Sequence, residues 1–282
     1  MKNKRLTFEE RLGRAVTAFW RDRARAAEKQ QRGGRKSDGN RGAVTGGKTM
    51  DSFRDMIAEV AIRCGPTGTK VHRKKSLVIL PGYFRPTKQW DLLVEHEGRL
   101  LAALELKSLC GPSFGNNANN RCEEALGSAV DLRKAQSEGM LGEGEAPYVG
   151  YLILVEDAEK SSKPVSTPSP HFPADRAFVK ASYQDRMRLL CERMVQQQLY
   201  SCAAVLSTPT RSLTGNYKDL SSLTSFRRLI TQLAAKLKSE SDLQTNSDGV
   251  EEVQLEYGRP SPVAWDSFDD LAAEGEPGLF SG

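Results

Sequence analysis

The sequence predicts an α/β fold in which a mixed central β-sheet is flanked by helices on both faces. Three observations predict it. Segments with apolar residues at helical spacing alternate along the chain with short apolar runs. One run, residues 148–155, is apolar throughout, as expected of a central strand covered on both sides. A turn at 95–99, containing Glu97 and Gly98, joins two other runs as a hairpin does. With 282 residues, the chain is long enough to bury a sizeable core.

The first helix is expected over residues 7–30, where Phe8, Leu12, Ala15, Val16, Phe19 and Trp20 recur at helical spacing. Thr7, followed three residues later by Glu10, has the form of a capping box. Residues 32–47, rich in Gly, Arg, Ser and Asn, read as a loop. A second helix follows over 51–63, with Phe53, Met56, Ile57, Val60 and Ala61 inward. Past a break at 65–68, the runs 77–80, 90–94 and 100–106 read as consecutive strands of one sheet. A polar loop over 111–120 leads to a helix over 122–134, with Ala125, Leu126, Ala129 and Leu132 on one face. After the central strand, Met187, Leu190, Cys191, Met194 and Leu199 mark a helix, 203–206 a strand and 221–238 a final helix. Beyond it, negative charge combined with Gly, Pro and Ser predicts a largely disordered tail.

The net charge of +5 conceals an asymmetry. Residues 1–48 hold 14 Lys or Arg against 5 Asp or Glu, residues 239–282 hold 1 against 11, and residues 49–238 hold 26 against 20. The chain divides accordingly into a basic N-terminal helix and Gly/Arg-rich loop (1–48), a core on which that helix packs (49–238) and an acidic tail (239–282). A body this basic points to a polyanionic partner, nucleic acid first, against the plainer reading of a solvated surface. No stretch approaches the roughly 20 apolar residues of a membrane span, and the N-terminus lacks the apolar run of a secretory signal. A membrane role is excluded and a cytoplasmic location expected. The five cysteines show no zinc spacing and there are three histidines, so hydrolytic chemistry falls to carboxylates.

Residues 42–49 satisfy the phosphate-loop pattern G-x-x-x-x-G-K-[ST] by letter. That motif needs a buried strand leading into it, and the preceding residues 35–41 are polar throughout, so nucleotide binding is not expected. Asp91, Glu105, Leu106 and Lys107 carry more. Asp91 opens one strand and Glu105 lies near the end of the next, so a hairpin turning at 95–99 returns both carboxylates to one edge of the sheet. Glu105 and Lys107, two apart, share a face while Leu106 points into the core. Asp91, Glu105 and the backbone carbonyl of Leu106 offer oxygen ligands to a hard divalent cation such as Mg²⁺. The chemistry this permits is phosphodiester hydrolysis, with Lys107 orienting or helping to deprotonate a water and offsetting charge on the phosphorane. Glu59, on the preceding helix, is a further candidate to support the metal site; an exposed helix carboxylate is its plain reading.

The run from Leu80-Pro81-Gly82-Tyr83-Phe84-Arg85-Pro86 through Trp90-Asp91-Leu92-Leu93-Val94 resembles the XhoI family of type II restriction endonucleases. So do Glu105-Leu106-Lys107-Ser108, the stretch from Gly111 to Arg121, residues 41–48 and Glu123-Glu124-Ala125. The resemblance covers about residues 15–238. It implies a restriction-endonuclease-like core and a Mg²⁺-dependent nuclease of the PD-(D/E)xK class, in which Asp91, Glu105 and Lys107 match the motif. It further implies a homodimer cutting double-stranded DNA at the palindrome CTCGAG (C^TCGAG, 5′ overhangs), with a cognate DNA methyltransferase as biological partner. Trp90 replaces the nominal proline of the motif, Leu109 stands where Gln is expected and Ala118 where Phe is expected.

Asn116, Asn117, Asn119, Asn120 and Arg121 are candidate DNA-binding residues, because Asn pairs bidentately with adenine and Arg with guanine. Lys48, in the Gly-rich loop, joins them. The plain alternative for the asparagines is that they cap their own turns and the helix that follows. The rival to the nuclease is a non-catalytic, sequence-specific DNA-binding protein whose carboxylates are structural.

Overall fold

A computed structural model describes residues 6–32 and 49–247. Helix α1 (Phe8–Arg32) begins with the anticipated capping box: the Thr7 N–H donates to Glu10 Oε2 at 2.8 Å and the Glu10 N–H to Thr7 Oγ1 at 3.1 Å. Helix α2 (Asp51–Cys64) follows, then strands β1 (Lys70–His72), β2 (Ile79–Pro81), β3 (Thr87–Gln89), β4 (Leu92–His96) and β5 (Arg99–Leu109). Next come α3 (Phe114–Ser137), β6 (Tyr148–Asp157), the single turn α4 (Glu159–Ser162), α5 (Tyr183–Gln196), β7 (Cys202–Pro209), β8 (Lys218–Asp219) and α6 (Phe226–Ser247).

Six strands form one mixed sheet in the order β1-β4-β5-β6-β7-β8. β5, β6 and β7 run parallel, joined by helical crossovers, while β1, β4 and β8 pair antiparallel to their neighbours. The β4–β5 hairpin closes through Glu97 (φ 49°) and Gly98 (φ 80°), both left-handed as a type I′ turn requires. Its register shifts between Val94 and Glu95, where a β-bulge leaves Leu101 as the extra residue on β5.

Each sheet face carries its own core. On one, Leu92, Val94, Leu104, Leu106, Leu152 and Leu206 pack under α1, α2 and α6 with Phe19, Phe53, Ile57 and Leu233. On the other, Leu109, Tyr151, Ile153, Val155 and Val205 pack under α3 and α5 with Phe114, Ala125, Met187 and Met194. A third cluster on this second face joins Val78, Trp90, Leu93 and Ala103 to Leu132 and Ala135 of α3.

Four expectations need correction. The run 77–80 is not a strand of the main sheet: a 3₁₀ turn (Lys75–Leu77) leads into β2, which pairs only with β3 in a separate two-stranded hairpin. Residues 114–120 are helix and not loop, because Phe114, Ala118 and Ala125 form a buried stripe that extends α3 toward its N-terminus despite the poor helix propensity of Asn. The final helix starts at Phe226 and continues to Ser247, so a boundary at residue 239 would cut through it. Glu240, assigned by charge to the tail, is buried and ion-paired to Arg99 and Lys236. Strands β1 and β8, short and partly exposed, were not anticipated. The expected disorder of the acidic tail concerns residues 248–282, which lie outside the described residues.

Candidate active site

Alternation along β5 sets the site. Leu104 and Leu106 face the first core, while Ala103 and Leu109 face the opposite clusters. Glu105 and Lys107 therefore project on the second face, into the strip between its two apolar clusters. Asp91 precedes β4; its N–H donates to the Leu104 carbonyl at 3.1 Å, and its Oδ2 accepts from the Leu106 N–H at 2.7 Å. The hairpin thus brings Asp91 back onto β5 beside Glu105, with the Leu106 side chain buried in the first core.

Glu105 is 2% exposed. Its Oε1 receives Lys107 Nζ at 2.8 Å and Lys88 Nζ, from β3, at 3.0 Å. Its Oε2 is buried without a hydrogen-bond partner. Burial opposes the charge on Glu105, but Lys107 and Lys88 together outweigh it and hold the carboxyl below the usual carboxylate range. At Asp91 burial prevails and pushes the carboxyl above its ordinary value, against the pull of the Leu106 N–H and Lys107. Burial disfavours the charge on Lys107 as well, yet the pairing with Glu105 raises its pKa above the ordinary value, so at neutral pH it is a proton-bearing donor.

Helix α3 closes one side. Glu124 Oε2 lies 3.4 Å from Lys107 Nζ and is also gripped by Arg121. The Arg121 Nε donates to the Ser108 carbonyl at 3.3 Å, which ties α3 to the end of β5. Lys88 and Glu124 were not anticipated. Lys88 stands three residues before Asp91, but only the unforeseen β2–β3 hairpin reveals that it reaches Glu105.

Glu59 is not gathered with these groups. Its helix, α2, contributes Phe53, Met56, Ile57, Ala58 and Ala61 to the core on the opposite face of the sheet, and Glu59 is ion-paired to Arg11 of α1 and, at 3.1 Å, to Arg63. Asn116, Asn119 and Asn120 are exposed on the first turns of α3, and Asn117 is half-buried. Lys48, with residues 42–47 of the phosphate-loop pattern, lies outside the described residues. The three departures from the family pattern sit in apolar surroundings: Leu109 and Ala118 are buried in the second core, and Trp90 is buried with Lys88 Nζ 4.8 Å from its ring centroid.

The residues present fit a hard divalent cation. Asp91 and Glu105 offer oxygen donors alone, and Glu105 Oε2 is a buried acceptor with nothing to accept. Among the described residues no group of three or more His, Cys, Asp or Glu is gathered, so protein carboxylates would supply two of a cation's ligands and leave the remainder to water, backbone or phosphate oxygen. No helix among the described residues is long and apolar enough to cross a membrane.

The family model for restriction endonuclease XhoI matches residues 29–219, which span the β4–β5 hairpin and α3. The chain is 46% identical over 190 residues to the type II restriction enzyme BstVI of Geobacillus stearothermophilus, covering 65% of this chain and 84% of that one. It is 47% identical over 188 residues to the type II restriction enzyme XhoI of Xanthomonas vasicola, covering 66% and 75%. With the type II restriction enzyme AbrI of Azospirillum brasilense it shares 46% over 170 residues, covering 60% and 76%. No solved structure matches. The family model, whose matched segment contains the paired carboxylates and lysine on the mixed sheet, and three relatives at 46–47% identity place this chain in the XhoI family of type II restriction endonucleases, enzymes that cut DNA at specific sites.

Proposed function

We propose that the enzyme cuts both strands of a short DNA palindrome in a Mg²⁺-dependent reaction, with Asp91, Glu105 and Lys107 as its catalytic residues. The observation that carries this reading is the unpartnered, buried Glu105 Oε2 beside Lys107 and across the hairpin from Asp91. Asp91, Glu105 and the Leu106 carbonyl would hold the cation, which when bound lowers the pKa of a coordinated water and polarises the scissile phosphate. Lys107 bears a proton and donates to phosphate oxygens as negative charge develops on them. The Leu106 N–H fixes Asp91, and Lys88 with Lys107 fixes Glu105, so both carboxylates are oriented before substrate arrives.

The exposed Asn116, Asn119 and Asn120 are suited to base-edge contacts from the N-terminal turns of α3. Asn117, Lys48 and Arg121 are further DNA-binding candidates, Arg121 within hydrogen-bond reach of the catalytic strand. The resemblance supports CTCGAG as the palindrome. A two-fold symmetric site calls for a homodimer that contributes one active site to each strand, and protection of the host genome calls for a cognate DNA methyltransferase. Digestion of DNA of known sequence with Mg²⁺ or with EDTA, followed by mapping of the ends, tests the reading. Defined ends within CTCGAG, absent with EDTA, are expected; ends at another sequence overturn the site, and metal-independent cutting overturns the mechanism.

A further inference from the structure

The β2–β3 hairpin ends in a turn, residues 82–86, that is both rigid and apolar. Asp131 of α3, with its side chain 4% exposed, holds it: Oδ1 accepts from the Tyr83 and Phe84 N–H groups, each at 2.8 Å, and Oδ2 from Arg85 Nε at 2.8 Å. Position 82 tolerates only glycine, because a Cβ there would stand 2.6 Å from Asp131 Oδ2 and 2.6 Å from the Arg85 carbonyl. Yet the turn so carefully fixed exposes its aromatic rings. Phe84 is 68% exposed and Tyr83 47%, edge to face at 5.0 Å, and Lys134 Nζ stands 5.0 Å from the Tyr83 ring centroid. Burying a carboxylate to hold two aromatic rings in water serves no packing purpose.

Two routes through the structure place this tip near the scissile phosphate. Along the hairpin, Phe84 precedes Lys88 by four residues, at most about 14 Å of backbone, and Lys88 touches Glu105. Along α3, Asp131 follows Glu124 by seven residues, about 10 Å of helix, and Glu124 faces Lys107. With DNA rising about 3.4 Å per base pair, the tip lies within about four base pairs of the cut. Lys134, at the Tyr83 ring and paired to Glu138, and Arg85, paired to Asp131, set cationic groups beside the rings, where a DNA phosphate can compete for them.

We propose that the 82–86 turn is a wedge for duplex DNA, with Phe84 entering a base step beside the cleaved bond and unstacking it while the Asp131 clamp keeps the ring in place. This rests on the family assignment, which makes DNA the substrate, and extends it to a residue outside the catalytic motif. Insertion in place of surface contact accounts for the rigidity, since a wedge that can yield does not unstack a base pair.

The test uses the full chain and a duplex bearing 2-aminopurine at successive steps within four base pairs of the mapped cut, with Ca²⁺ in place of Mg²⁺. Binding of the wild type should raise the probe's fluorescence several-fold at one step. Phe84→Ala should lose that rise and bind roughly tenfold more weakly, while Phe84→Trp keeps the rise. Gly82→Ala, which displaces the turn and leaves Phe84 present, should also lose it. An unchanged signal in Phe84→Ala overturns the wedge. So does a bound wild-type complex with no rise at any step; wild type that still cuts at defined sites then leaves the nuclease assignment standing. A wild-type dimer that becomes a monomer in Phe84→Ala also overturns it, by assigning the tip to self-association.

Discussion

Lys88 Nζ lies 3.0 Å from Glu105 Oε1, the same oxygen that Lys107 Nζ reaches at 2.8 Å. Two ammonium groups from different sheets thus converge on one carboxylate oxygen and leave the other without a partner. The convergence fixes the Glu105 side chain between the two apolar clusters of its face and explains how a carboxylate so deeply buried remains ionised.

Replacing either carboxylate should separate cutting from binding. Asp91→Ala and Glu105→Ala are expected to reduce divalent-cation-dependent cleavage roughly 10³-fold or more, while gel-shift affinity for duplex DNA persists. Near wild-type cleavage in both variants would sink the site.

The clamp on the 82–86 turn predicts a pH effect on stability. Burial opposes the charge on Asp131, but the Arg85 guanidinium and two backbone N–H groups hold its carboxyl below the usual value. A depressed folded-state pKa means that this stabilisation is complete above the unfolded value of about 3.9 and is lost as pH falls through the folded value. Asp131→Asn, which turns an amide donor toward Arg85, should therefore be about 1–2 kcal/mol less stable at pH 7. It should also lack this part of the wild type's loss below about pH 4. Urea unfolding at several pH values measures both.

Where the chain ends within α6 should matter. A chain ending at Lys238 loses Glu240, whose Oε2 accepts from Arg99 and Oε1 from Lys236, each at 2.7 Å, and Gln244, whose side chain accepts from the Thr67 N–H at 3.1 Å. Relative to a chain ending at Ser247, its melting temperature is expected to drop by about 3–6 °C. Calorimetry on the two truncations decides it; equal melting temperatures would show that the last turns of α6 add nothing.

Arg121 braces β5 against α3 through Ser108 and Glu124. Arg121→Ala should consequently weaken binding to cognate and random duplexes to the same extent, with little change in their ratio. A loss confined to the cognate duplex would instead identify a guanine contact.

The sequence made the elements with strong periodicity legible: α1, α2, the β4–β5 hairpin, β6 and α5. It also showed that Asp91, Glu105 and Lys107 come together, because strand alternation and a hairpin turn are local properties. What escaped depends on contacts between distant segments. The start of α3 is hidden by four asparagines whose helical conformation is set by Phe114 and Ala118 docking on the sheet. Lys88 became part of the site only through a hairpin too short to leave a pattern. Glu59 is on the helix just before the strands, yet that helix packs on the opposite face, and sequence order carries no record of which face a helix chooses.

The bulge at Leu101 decides which residues face each other. Counting back from the turn without it, His96 pairs with Arg99 and Asp91 would fall opposite Leu104, an odd phase that turns the two carboxylates to opposite sides of the sheet. The surplus residue advances β5 by one, so that Leu92 meets Leu104 and Asp91 falls into step with Glu105. The pairing of Asp91 with Glu105 is thus a matter of parity. Deleting Leu101 would remove the surplus and let an unbroken ladder run from His96–Arg99 to Asp91 opposite Glu105, so the bulge is what allows a β5 one residue longer than its partner to keep the two carboxylates on one face.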